Sequence, residues 1–238
     1  MTDEVPKYCW SCPKREMFER AGRECPSSPR VKAELRRTIL GSLSSMTPEV
    51  RRQKSLLIVK HLLELPEFKR AGVVMAYVAM EMEVDPWSLI REAWALGKRV
   101  AMPRVHPSLE NPQLPEDHDL ELLALELHEE LVDDPQDHSG LRPDVMGILE
   151  PKTSAAEIPI AEIDLVVVPC VAFDRQGWRL GRGGGFYDRF LSREDLRAAS
   201  CGLAFSEQVF STLPQCPHDR AVDIVTTESG VLRADRGG

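Results

Sequence analysis

The run IDLVVVPCVAF at 163–173 is almost continuously apolar, with three consecutive valines at its centre. A strand with one wet face alternates apolar and polar residues, whereas a strand without alternation must be covered on both faces, and in parallel sheets helices do this. The chain therefore needs amphipathic helices on both sides of a sheet, and several segments can supply them. Val31, Leu35, Ile39 and Leu43 recur every four residues within 30–46, the spacing of one helical face. Thr47 and Pro48 open a second helix with Leu56, Val59, Leu62 and Leu63 as its apolar stripe. AGVVMAYVAM at 71–80 reads as a strand, Asp85 and Pro86 start a helix that ends at Gly97, and KRVAMPRV at 98–105 reads as the next strand. That spacing is typical of a right-handed parallel crossover.

Farther along, HPSLENPQLPEDHD at 106–119 reads as an exposed loop, and LELLALELHEEL at 120–131 is ambiguous between helix and strand. CGLAF at 201–205 and VDIVTT at 222–227 read as strands, with SEQVFSTL between them as a short helix. The expected fold is α/β: a three-layer, mainly parallel sheet with helices on both faces, preceded by an N-terminal helical pair. One domain spans 30–230, after a cysteine-containing arm at 1–29 and before a tail at 231–238.

A net charge of −8 argues against a general nucleic-acid binder, which needs a basic footprint. The N-terminal MTDEVPKYCWS has acids where a signal peptide has basic residues, and no apolar run is long enough to span a bilayer. The expectation is a cytoplasmic protein without membrane or nucleic-acid partners, monomeric or homodimeric, whose six cysteines stay reduced.

Against this acidic background, LGRGGGFYDRF at 180–190 places glycine at 181, 183, 184 and 185. Glycines at this density mean that main chain approaches something closely or adopts positive φ. A glycine turn entering a helix exposes N–H groups suited to phosphate. Arg175, Arg179, Arg182, Arg189 and Arg193 crowd the same stretch, and Asp188 is suited to Mg²⁺ beside bound phosphates. A tight packing turn is the alternative. No lysine followed by Ser or Thr is present as in a P-loop, and Phe186 stands where a dinucleotide fold needs Gly or Ala.

RLGRGGGFYDRFL resembles the signature of the 5-formyltetrahydrofolate cyclo-ligase family, and other segments match in order: KAELR at 32–36, YVAMEMEVDPWSLI at 77–90, GKRVAMPRV at 97–105, GILEP at 147–151 and PHDRAVDIVTTE at 217–228. The resemblance covers about residues 30 to 230. It implies a fold like that of sugar-phosphate isomerases and CoA transferases (NagB/RpiA-like), and conversion of 5-formyltetrahydrofolate and ATP to 5,10-methenyltetrahydrofolate, ADP and phosphate with Mg²⁺. By the same resemblance, Lys32 and Arg36 reach the ATP phosphates. Arg179, Gly181, Arg182, Gly183, Gly184, Gly185, Phe186 and Tyr187 form the phosphate cradle, with Arg182 and Tyr187 catalytic. Val78, Glu83 and Tyr187 contact the folate, and Asp188 and Asp219 hold Mg²⁺.

Each of these residues also has a plainer explanation. Lys32 and Arg36 suit any solvated helix face, Glu83 a helix N-terminus, Asp219 a turn cap and Tyr187 the core. Phe186 departs from the tyrosine many members carry, and the acidic stretch at 106–140 is longer than usual and repels an anionic folate tail. Cys9, Cys12 and Cys25 resemble three-quarters of a zinc site, with Cys216 or His218 as a conceivable fourth ligand. Redox pairing of Cys9 with Cys12, or an unstructured reduced arm, are the alternatives. Two other functions stay open: a relative diverged toward another phosphorylated small molecule, and an idle paralogue that binds nucleotide or folate and regulates a partner.

Overall fold

The computed structural model describes residues 15–20, 24–107, 120–127, 141–143, 149–151 and 155–234. Within the arm, helix α1 spans Arg15–Arg20. The expected helical pair is α2, Pro29–Leu43, and α3, Pro48–Leu63. Their starts follow from capping chemistry: Ser28 and Thr47 each accept a hydrogen bond from an N–H three residues on, and proline occupies the first turn. The stripe of α3 differs from expectation, because Ser55, Ile58, Val59 and Leu62 are buried while Leu56 faces solvent. Helix α4, Pro66–Arg70, leads into the sheet.

The central sheet has seven strands in the order β12-β11-β9-β6-β1-β2-β3. Its parallel interior comprises β1 (Val73–Met75), β2 (Arg99–Pro107), β6 (Leu165–Val168), β9 (Ala199–Leu203) and β11 (Ile224–Thr227). Antiparallel β3 (Leu120–Leu127) and β12 (Gly230–Arg233) form the edges. Helix α5, Trp87–Ala95, links β1 to β2 as the crossover spacing requires, and Gly97 follows it at φ 70°. Small antiparallel β4 (Leu141–Pro143) and β5 (Leu149–Pro151) pair separately.

Side chains of β6 alternate between two cores. Leu165 and Val167 join α2, α3, α4 and α5 on one face, while Val166 and Val168 join Ile158, Ile160, Ile163 and Phe190 on the other. This double burial explains the absence of polar alternation in the run at 163–173.

Four expectations need correction. The strand at 71–80 is only Val73–Met75, and the rest leaves the sheet as loop. The run at 163–173 is two strands, because Pro169 lacks the N–H to continue the ladder; the chain then enters β7 (Ala172–Asp174), which pairs with β8 (Arg179–Leu180) and β10 (Val209–Phe210) in a second sheet. The expected helix SEQVFSTL is one 3₁₀ turn, Ser206–Gln208, followed by β10. His106 and Pro107, expected in the loop at 106–119, end β2, and residues 120–127 of the ambiguous segment at 120–131 form strand β3. The remainder of the acidic stretch, apart from β3, lies outside the described residues.

Strand order fixes where a ligand can enter. From β1 the chain moves outward to β2; from β6, on the other side of β1, it moves outward to β9 and β11. The order therefore reverses between β1 and β6, and open α/β sheets hold ligands at the carboxyl ends of strands beside such a switch. Glu83 lies on the segment leaving β1, and the glycine loop lies beyond the β7–β8 hairpin that follows β6.

Candidate active site

The loop from Gly181 to Gly185 connects β8 to the short helix α6, Phe186–Leu191. Gly183 at φ 119° and Gly185 at φ 67° hold backbone conformations unfavourable to L side chains. Six residues of helix lend little dipole, so an anion here would have to be held by loop N–H groups and neighbouring cations.

Those cations arrive from distant parts of the chain. Arg36 Nε on α2 donates to Gly181 O at 2.6 Å, and its guanidinium lies against Gly183. Burial lowers the Arg36 pKa, while Cys170 and Asp219 act in the opposite direction. One helical turn earlier, Lys32 Nζ meets Asp219 Oδ2 at 2.6 Å, and the same oxygen accepts Cys216 N–H at 2.7 Å. Asp219 thus caps its turn and also pairs with Lys32. Neither Lys32 nor Arg36 belongs to a solvated helix face.

Arg179 is buried and donates to Asp188 Oδ1 at 2.8 Å and to the Arg220 carbonyl. Arg220 N–H donates to that same Asp188 oxygen at 2.9 Å, so Asp188 and Asp219 flank one backbone position. Among the described residues no group of three or more His, Cys, Asp or Glu is arranged to hold a metal ion. Mg²⁺ bound beside phosphates takes only one or two carboxylates; Asp188 and Asp219 are the carboxylates at this position, each already paired with a cation, Arg179 and Lys32 respectively.

Arg182, at the loop tip, donates through Nε to Glu83 Oε1 at 3.0 Å. Glu83 Oε2 accepts Met80 N–H at 2.9 Å, which turns the carboxylate toward the loop and away from α5. Asp85 Oδ1 serves the start of α5 by accepting Trp87 N–H. Val78 is partly buried against the core on the α3/α5 side. Tyr187 packs its ring on the opposite core, and its Oη is buried without a hydrogen-bond partner among the described residues. Burial raises the Tyr187 pKa well above the usual phenol value, reinforced by nearby Glu83, so the hydroxyl keeps its proton. Phe186 packs beside it under the Arg189 guanidinium and would block any Cβ at Gly184.

A cavity of about 540 Å³ borders Asp219 and Arg220 and is lined also by Trp178, Leu191 and Leu196. Two further contributors are not among the predicted site residues. Arg220 acts through its backbone, and fully buried Asp174 braces the β7–β8 hairpin by accepting N–H groups of Gln176, Trp178 and Leu213. Only the Asp174–Gly177 turn composition hinted at the latter. Cys9 and Cys12 lie outside the described residues. Cys25 and Cys216 are buried, and Cys216 Sγ contacts the Ser27 carbonyl at 3.4 Å, so the end of the predicted arm packs on the domain.

The model of the 5-formyltetrahydrofolate cyclo-ligase family matches residues 29–228. The chain belongs to that family. As a member it is a ligase, and the family match begins where α2 begins. A 5-formyltetrahydrofolate cyclo-ligase of Escherichia coli K12 is 32% identical over 190 residues, covering 79% of this chain and 94% of the relative. The mitochondrial 5-formyltetrahydrofolate cyclo-ligase of Arabidopsis thaliana is 33% identical over 227 residues, covering 88% of this chain and 78% of the relative. The solved 5,10-methenyltetrahydrofolate synthetase of Aquifex aeolicus superposes with a TM-score of 0.68 at 32% identity, covering 87% of this chain and 94% of that one. Among the described residues no helix is long and apolar enough to cross a membrane.

Proposed function

We propose that this chain converts 5-formyltetrahydrofolate and ATP to 5,10-methenyltetrahydrofolate, ADP and phosphate, with Mg²⁺. The observation that carries this reading is the convergence of Lys32, Arg36, the glycine loop and the Glu83–Arg182 pair on one switch point, from segments that match the family in order. Formamide oxygen is a poor leaving group, so the γ-phosphoryl group is transferred to it first. N10 of the folate then attacks the activated carbon, phosphate departs with the C–O bond electrons, and N10 gives its proton to solvent.

Phosphoryl transfer asks the protein mainly for positioning and charge stabilisation. Loop N–H groups, Arg36 and Lys32 bind the phosphates, and Arg182 meets the charge that develops on the transferred group. Asp188 and Asp219 would hold Mg²⁺, which neutralises phosphate charge when bound. Glu83, Val78 and Tyr187 seat the pterin, with Tyr187 as a neutral donor.

The test follows methenyl-folate absorbance with 5-formyltetrahydrofolate, Mg²⁺ and ATP, against the same mixture lacking ATP. Growth only with ATP is expected. Ligand binding without any growth would overturn the reading in favour of a regulatory paralogue.

A further inference from the structure

We propose that Glu83 is a positioning residue for Arg182: it holds the guanidinium off the phosphate cradle until the pterin ring takes its place, so that reduced folate releases the arginine for phosphoryl transfer. This rests on the cyclo-ligase reading above and adds an order of events to it.

The two partners of this ion pair are unequal. The Glu83 side chain is 8% exposed and the Arg182 side chain 39%, so a buried carboxylate is held by a partly exposed arginine. Withdrawing one partner from a buried charge is costly unless another donor replaces it. Glu83 Oε2 already has Met80 N–H, so the replacement must donate to Oε1, the oxygen that takes Arg182 Nε. ATP offers its phosphates only as acceptors there. The 2-amino-4-oxopyrimidine edge of a pterin presents adjacent N–H donors, one of which can take the place of Arg182 Nε at Oε1.

Two neighbours fit the exchange. Tyr187 Oη is buried without a partner among the described residues, in the electrostatic neighbourhood of Glu83, which leaves one hydroxyl for the entering ring. Arg36 anchors Gly181 O at the base of the loop, so Arg182 can swing while its backbone stays in place.

The experiment measures calorimetric binding of a non-hydrolysable ATP analogue with Mg²⁺ to the full chain, with and without 5-formyltetrahydrofolate. In the wild type, folate should tighten analogue binding about tenfold, within the usual range of coupling between sites. In Glu83→Gln the analogue should bind tightly without folate, with coupling reduced to within about twofold, and ADP release without folate should rise above wild type. Arg182→Gln should also lose the coupling, but with weak analogue binding throughout, and it serves as the second test if Glu83→Gln does not fold. Coupling that persists in both variants, or that is absent from a wild type that turns over, overturns the inference and leaves the cyclo-ligase reading intact. A wild type without turnover overturns both.

Discussion

Arg179, in the strand that leads into the glycine loop, and Arg182, three residues on and within it, experience opposite surroundings. The Arg179 side chain, on the shoulder of the loop, is 3% exposed and serves Asp188 and the Arg220 carbonyl. The Arg182 side chain, at the tip, is 39% exposed and pairs with Glu83. A charge with several fixed partners is part of the scaffold, whereas a charge with one partner and open water beside it can change hands. One glycine-rich motif thus contains a buried, multiply held arginine and a partly exposed one paired with a distant carboxylate, and composition alone does not separate them.

The sharpest way to break this contrast is Arg182→Ala. Turnover should fall by about 10²–10³ or more, as when one transition-state donor is removed, with melting temperature unchanged. Near wild-type turnover would remove Arg182 from the chemistry. Arg179→Ala should lose both, because Asp188 is left without its buried partner. A loss of about 2–3 kcal/mol is expected, lowering Tm by roughly 5–10 °C, measurable by thermal denaturation. If Arg179→Ala melts like wild type, the shoulder is not scaffold.

Lys32→Met tests a pair intermediate between these extremes, since Asp219 keeps the Cys216 N–H. The KM for ATP should rise about tenfold while stability falls by about 1–2 kcal/mol, read from initial rates and urea unfolding.

The smallest effect is a pH signature beneath the shoulder. Burial pushes the Cys170 thiol up to about 12, partly offset by Arg179, against an ordinary value of 9.0. A folded pKa raised above the unfolded one means that the neutral thiol's stabilisation is complete below pH 9 and is lost as pH climbs toward 12. Urea midpoints should be insensitive to this thiol up to pH 9 and decline above it, less steeply in Cys170→Ala. Thiol alkylation of native protein at pH 8 should spare Cys170.

Much of the fold was legible where local chemistry acts alone. Ser28 and Thr47 announce the helix starts, and the run at 163–173 announces a strand covered on both faces. Reading failed where tertiary pairing overrides local pattern. Pro169 divides that run between two sheets, and Leu56 follows the helical period yet lies outside the contact made by α3. At the site, the glycines and arginines identified the loop, but nothing local in either segment shows that Arg182 pairs with Glu83, 99 residues earlier, or that Asp188 is held by the backbone N–H of Arg220. Backbone donors have no side-chain signature. The zinc reading of the arm had three cysteines in sequence, and two of them fall outside the described residues.

The site joins positions very far apart along the chain: Lys32 to Asp219 across 187 residues, and Arg36 to Gly181 across 145. Contacts of such separation cannot form during synthesis until nearly the whole domain has emerged, because loop closure requires both ends to exist. A nascent chain stopped before Asp219 can already contain the helical pair, the crossover and the glycine loop, yet it lacks the carboxylate that Lys32 meets. The site is therefore complete only in a chain synthesised past Arg220, so it comes together late in translation.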